Sequence, residues 1–276
     1  MNSQLIDAEE RLATVFSHYY CVQLSPEEQP VTLQLMPNYE MLLVFNLGPA
    51  IPIALGGATY VIQKTAVLGP LQKMLTYELP AGTDLMVVNF TLDGFYRLLG
   101  VSMQELKAGD WHDPDVLLNK NCFSELWEQL APLSELADRI SLLNAYAVTF
   151  VAPTDAASDS LRESIPYFRD AVVDPIKVLA ETQQVSARRI QMRFQTHLGY
   201  SAKELTRFLR FRNLLNFLTQ QHPQPPDWLN LVLTFGYHDH SHLIKDFQYY
   251  LGLTPRQFLK QLAQGNVCIS KTGRFY

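Results

Sequence analysis

The sequence predicts an α+β chain, with a β-rich domain first and an all-α domain after it. Three observations carry this. Residues 28–100 hold short apolar or alternating runs rich in β-branched side chains (VTLQLMP, MLLVFNLG, TYVIQKTAVLGP, LMVVNFTL), punctuated by Gly and Pro. From residue 124 onward apolar residues recur every three or four positions instead. The charge also divides: residues 1–165 carry 8 basic against 20 acidic side chains (−12), and residues 166–276 carry 14 against 7 (+7), within a total of −5. An acidic half joined to a basic half suggests that only the second half meets a polyanion.

Composition sets further bounds. At 276 residues and 47% apolar, the chain suits two globular domains with their own cores. Cys21, Cys122 and Cys268 lie far apart with no CxxC, which suits a reducing cytosol, and a cytoplasmic location is expected. The opening MNSQLIDAEERL is acidic and lacks the apolar run of a signal peptide. Residues 41–63 carry no charge and are long enough to span a membrane. Gly48, Pro49, Pro52, Gly56 and Gly57 break that stretch, so two buried strands joined by a turn are expected there.

The elements follow in order. GFYRLLGVSMQEL reads as a helix on the β-sheet. Leu126, Leu130, Leu133, Leu136, Ile140 and Leu143 mark a helical segment interrupted at Pro132. This series either packs on its own sheet or forms a homodimer seam. APTDAASDS (152–160) reads as a linker. The expected division is a sensor-like β domain over 1–123, a helical connector and linker over 124–165, a helical domain over 166–262 and an aperiodic tail over 263–276.

The helical domain repeats itself. Shifted by 53 residues, Ile176, Leu179 and Ala180 fall on Leu229, Val232 and Leu233. Ser186 falls on Asp239, Ile190 and Phe194 on Leu243 and Phe247, Gly199 on Gly252, and Ser201 on Thr254. Each unit reads as helix, tight turn, helix. Ser186 and Asp239 are N-caps, and Gly199 and Gly252 are left-handed stops. Such a unit is a helix-turn-helix, whose second helix enters the major groove of DNA by its N-terminal residues. The candidates are Ser186, Ala187, Arg188, Gln191 and Met192 in one unit, and His240, Ser241, Ile244 and Lys245 in the other. Between the units, residues 202–221 read as a linker helix with Lys203, Arg207, Arg210 and Arg212. Its length of roughly 27 Å is comparable to the ~34 Å between successive major-groove faces.

The stretch GYHDHSHLIKDF raises a rival reading, a metal site. His238 precedes the cap and lies outside the helix, and His240 and His242 are two apart on different sides of it. Helical metal pairs use i,i+4 spacing. A site here needs His238 and His242 to bend together and a third ligand to join them. No metal site is therefore assigned, and His240 is read as a DNA contact.

GYHDHSHLIKDFQYYLGLTPRQF resembles the signature of AraC/XylS-type transcriptional regulators. The carrying residues are Gly236-Tyr237, Asp239, Ser241, Leu243, Lys245, Phe247, Gly252, Thr254-Pro255 and Phe258. The resemblance covers about residues 166–262 and implies a DNA-binding domain of two helix-turn-helix units joined by a linker helix. The N-terminal half more weakly resembles the β-rich, cupin-like sensor domain that precedes this module in some members. Three departures stand out. Met192 occupies the place where unit two keeps Lys245, with Arg193 one step along as a phosphate contact. Leu233 replaces a small residue, here Ala180 in unit one. Asp246 would repel phosphate unless paired.

The implied function is sequence-specific transcription regulation on double-stranded DNA. The alternative is a regulator that acts mainly by protein contact with weakened DNA binding. RNA polymerase and a second copy of the chain are candidate protein partners. A small effector is a candidate ligand of the β domain, where Tyr39, Tyr60, Phe90 and Tyr96 are aromatics that either line a pocket or fill the core. Catalysis is not expected. Residues 1–123 hold only His18 and His112, on no recognisable strand; HExxH and GxSxG are lacking, no cofactor motif is present, and Cys21 and Cys122 lack an activating neighbour.

Overall fold

Side chains that alternate across strands decide the N-terminal architecture. The computed structural model describes all residues except 107–110, 155, 165–166, 169–173, 221–225 and 265–276. The larger antiparallel sheet runs, side by side, β1 (Asn2–Asp7), β2 (Phe16–Gln23), β9 (Asp84–Phe90), β4 (Leu42–Asn46), β7 (Thr65–Leu68) and β10 (Trp111–His112). The smaller runs β3 (Val31–Leu35), β8 (Leu75–Leu79), β5 (Ile51–Leu55) and β6 (Ala58–Ile62). One face of the larger sheet, with Leu42, Val44, Ala66 and Leu68, shares a core with the smaller sheet. The other, with Leu43, Phe45, Val67 and Met86, shares a core with helices.

Burial on both faces explains the charge-free run only at 42–46; the rest of the run to 63 includes exposed residues. The run holds three strands rather than two: β4 in the larger sheet, and β5 and β6 as a hairpin in the smaller one. That hairpin turns at Gly56-Gly57, both with positive φ, which favours glycine. No helix among the described residues is long and apolar enough to cross a membrane. β structure also begins earlier than residue 28. β1 pairs along β2 from Asn2↔Gln23 to Asp7↔His18, and its polar sequence reflects an exposed edge. His18 and His112 do lie on strands, β2 and β10, separated by three others.

Helices α1 (Gly94–Leu99), α2 (Pro114–Leu118), α3 (Cys122–Leu130) and α4 (Leu136–Phe150) follow, with Pro132 between the last two. Leu126, Leu130 and Leu143 are buried in the core against the larger sheet, and Leu136 and Ile140 pack on it. The leucine series therefore covers its own sheet. The stretch expected as a linker is half helix: α5 spans Ala156–Glu163 and buries Ser158, Ser160 and Leu161. Its Arg162 Nη2 lies 3.3 Å from Oδ1 of the fully buried Asp93. Small side chains let α5 approach closely, which its polar composition conceals.

The helical part comprises α6 (Pro175–Thr182), α7 (Ala187–Leu198), α8 (Ala202–Gln220), α9 (Trp228–Thr234), α10 (His240–Leu251) and α11 (Pro255–Ala263). A shift of 53 carries the starts of α6, α7 and α8 onto those of α9, α10 and α11, and the end of α7 onto the end of α10. Ile190, Phe194, Leu243 and Phe247 are fully buried, as the repeat predicts. Two equivalences fail. Leu229 and Leu233 are 73% and 72% exposed, whereas Ile176 is buried, and α9 packs through Leu231 and Val232. The larger side chain at 233 is accommodated by leaving the core. The tail from Gly265 to Tyr276, with Cys268, lies outside the described residues.

The two parts share a core. Tyr39, in the β3–β4 connection, is 3% exposed and stacks on Phe208 of α8 with ring centroids 4.3 Å apart. The amide of Met74 donates to the carbonyl of Tyr250 at the end of α10, and Tyr96 of α1 lies against His197 at the end of α7. Both repeat helices are thus held at their C-terminal ends by the β domain.

Candidate nucleic-acid interface

The N-terminal ends of α7 and α10 are built alike and left open. At α7 the Ser186 side chain accepts a hydrogen bond from the Arg189 amide at 3.3 Å. At α10 Asp239 Oδ1 accepts from the His242 amide at 2.8 Å. That bond, with the helix amides beside it, holds the Asp239 carboxyl below the usual carboxylate range. Gly199 and Gly252 close the two helices at φ +77 and +68, where a Cβ is strained. Between each cap and stop, one face carries the buried apolar pair and the other meets solvent.

The candidate residues fall on that solvent face with two exceptions. Ser186, Ala187, Arg188, Gln191 and Met192 are exposed on α7, and His240, Ser241 and Lys245 on α10. Ile244 is half-buried. Arg193 turns inward, where its Nη1 donates to Ser160 Oγ at 3.0 Å and to Gln183 Oε1 at 2.7 Å. It joins α5 and the α6–α7 turn to α7. The side chain that looked repulsive, Asp246, is 3% exposed and ion-paired to Arg207 and Arg210 of α8. Arg207 and Arg210 are therefore engaged with the protein, a pairing across the repeat that spacing along the chain does not reveal.

The histidines are arranged differently from the sequence expectation. His238 and His242 do come together, with ring centroids 5.7 Å apart. The carboxylate between them in the chain, Asp239, faces both. His240 stands apart beside Trp228.

The β domain holds a half-open cavity of about 300 Å³ between its two sheets. Its wall is largely aliphatic, from Leu42, Val44, Ile51, Ile53, Leu68 and Val87, with His18, Tyr20, Tyr77 and Asn89 as its polar points. The four aromatics proposed from sequence lie elsewhere. Phe90 packs in the core with Phe16 and Phe95, Tyr60 stacks on Trp111, and Tyr39 and Tyr96 meet the helical part. His18 was missed because its strand was. Burial pushes its pKa down, with Asp7 opposing, and pushes the Cys21 thiol up to about 11. The protonated, buried form of Cys21 is a poor nucleophile.

Two tandem units that each present a capped helix start to solvent define a helix-turn-helix protein of the DNA-binding class. Residues 179–261 match the family described as helix-turn-helix domain, and residues 4–110 match one described as a domain of unknown function (DUF6597). The helical part thus carries a helix-turn-helix domain, and a different family model matches the β-rich part ahead of it. No curated protein matches the chain. Among solved structures it is similar to ToxT from Vibrio cholerae at 9% identity and a TM-score of 0.44, covering 88% of this chain and 97% of that one. Wild-type ToxT from that organism with a bound unsaturated fatty acid gives 10% identity and 0.43, over 91% and 96%. The AraC-like transcriptional activator CuxR gives 11% and 0.27, over 78% and 85%.

Proposed function

We propose that α7 and α10 are the two reading helices of a sequence-specific regulator, set into adjacent major grooves of one DNA duplex. The observation that carries this is the repeat itself: two helices with the same start, stop and buried pair, both open at the end that would meet bases. Ser186, Ala187, Arg188, Gln191 and Met192 face one groove, and His240, Ser241, Ile244 and Lys245 the other. Phosphate contacts give salt-dependent affinity, and base contacts give the choice of site. Arg193, drawn towards α5, serves the packing of unit one first.

The β domain is the regulatory part. Its cavity suits a small, mostly apolar effector with a single polar group for His18 or Asn89. Tyr39, Met74 and Tyr96 provide the route by which a change in that domain reaches α8 and the C-terminal ends of the reading helices.

Fluorescence anisotropy with the DNA upstream of the protein's own gene, against a scrambled duplex over a salt series, tests the reading. A steep salt slope with preference for the native fragment supports it. Equal affinity for both duplexes at every salt concentration overturns the base-reading assignment and leaves regulation by protein contact.

A further inference from the structure

We propose that His238, Asp239 and His242 form a binding site for a divalent transition-metal ion of the zinc type, at the N-terminus of α10. The geometry turns on how Asp239 divides its two oxygens. Oδ1 caps the helix, 2.8 Å from the His242 amide. Oδ2 is left over and stands 3.5 Å from His238 Nδ1 and 3.6 Å from His242 Nδ1. Those distances are long for hydrogen bonds. They are close to the ~3.3 Å that separates two ligands at about 2.0–2.1 Å around a tetrahedral ion. All three ligand atoms lie within 4.8 Å of one another.

The donor set fits the ion. Two imidazoles and one carboxylate are borderline ligands that suit zinc-type cations and leave calcium and magnesium, which take oxygen, poorly served. His238 and His242 are i,i+4 in sequence although only His242 is helical. The extended backbone of the cap, with φ −156 and ψ 173 at Asp239, leads from His238 into the first turn, and the two rings meet there. All three side chains are well exposed, at 84%, 48% and 53%. A cation therefore reaches them without any rearrangement of the fold. Three protein ligands leave a fourth position open, as in zinc sites that bind a further molecule.

The three side chains stand at the end of α10 assigned above to DNA, and this consequence rests on that assignment. A bound dication adds positive charge where a phosphate would approach and offers it a coordination site. Metal therefore tightens DNA binding.

The test uses the full chain without a histidine tag. Cobalt(II) titration followed by visible absorption, and zinc calorimetry, are run on the wild type, His238→Ala, His242→Ala, Asp239→Asn and the control His240→Ala. Asp239→Asn keeps a good N-cap while removing the carboxylate. The expected result is one metal equivalent in the wild type and in His240→Ala, weakened at least about tenfold in the other three. Equal binding by all five proteins overturns the site. Anisotropy with and without zinc then separates the two claims. Metal binding with tighter DNA binding supports both. Metal binding by a protein that binds no DNA under any condition keeps the site and overturns the DNA reading of α10. Metal binding with unchanged DNA affinity overturns the regulatory consequence.

Discussion

Arg207 Nε on α8 donates to Asp246 Oδ1 on α10 at 2.7 Å, and Arg210 Nη2 approaches the other carboxylate oxygen at 3.4 Å. The acid that seemed to spoil a groove-facing helix is thereby turned inward, and the pair fixes α10 against the linker helix. Arg207 also stacks over Tyr249, with its guanidinium 4.5 Å from the ring centroid.

Replacing Arg207 leaves Asp246 buried with one longer contact. Arg207→Ala is expected to lower stability by about 1–2 kcal/mol, the value for a charge-assisted hydrogen bond reduced because Arg207 is 39% exposed. Urea denaturation followed by tryptophan fluorescence reads this loss. An unchanged midpoint would show that the pair contributes only orientation.

Tyr39 joins the β domain to the helical part through a ring enclosed by Tyr200, Phe208 and Tyr250. It holds a φ of +58, an uncommon conformation for a large side chain, so the site is over-determined by its packing. Tyr39→Ala is expected to cost about 3–5 kcal/mol where the parts unfold together. Hydrogen exchange should then rise at residues 202–212 of α8. Exchange confined to the β domain would show that the two parts open independently and would sever the proposed route of regulation.

How much of this was legible follows the range of the interactions. Ser186, Gly199, Asp239 and Gly252 act on neighbours within four residues, so caps and stops could be placed from the sequence. Ile190, Phe194, Leu243 and Phe247 obey a local period and were found as core. Asp246 was expected to repel phosphate unless paired; it is paired, but its partners could not be named from the sequence because they lie 36 and 39 residues away. Leu233 was misjudged because periodicity gives a face and not the room beside it. β1 was missed because an exposed edge strand needs no apolar alternation, and β2 beside it, which carries His18 into the cavity wall, was missed as well. His238 and His242 met across a cap, a turn of chain that helical spacing alone does not describe.

His18 provides a pH test of the β domain. Burial lowers its pKa in the folded state, with Asp7 partly opposing. The unfolded chain therefore takes up the proton first, near pH 6.5. Stability is fully present above that pH and declines as pH falls from it towards the lower folded value. His18→Gln removes this component, so its stability profile should be flatter than the wild type's just below pH 6.5. Parallel profiles would assign the acid sensitivity to other groups. A ligand that fills the cavity and accepts a hydrogen bond from His18 should flatten the wild-type profile in the same window.

Lys245 and Met192 occupy equivalent places in the two units, and both are exposed. The chemistry differs: one carries a charge that a phosphate or a guanine attracts, while the other, 56% exposed, offers only apolar surface. At this position only unit two contributes to salt-dependent affinity, while unit one draws on the exposed Arg188 and Arg189. Lys245→Ala is expected to weaken DNA binding and to reduce the slope of log affinity against log salt by about 0.9 if it meets a phosphate. If it meets a base edge, the loss is about 1–3 kcal/mol on the native site and little on scrambled DNA. Its thermal stability should not change, since Lys245 is solvent-exposed. Met192→Arg should do the reverse at unit one, raising affinity for any sequence and steepening the slope. Should Met192→Arg leave both affinity and slope untouched while Lys245→Ala reduces them, α7 would lie away from the DNA backbone. The protein would then read its site through a single groove.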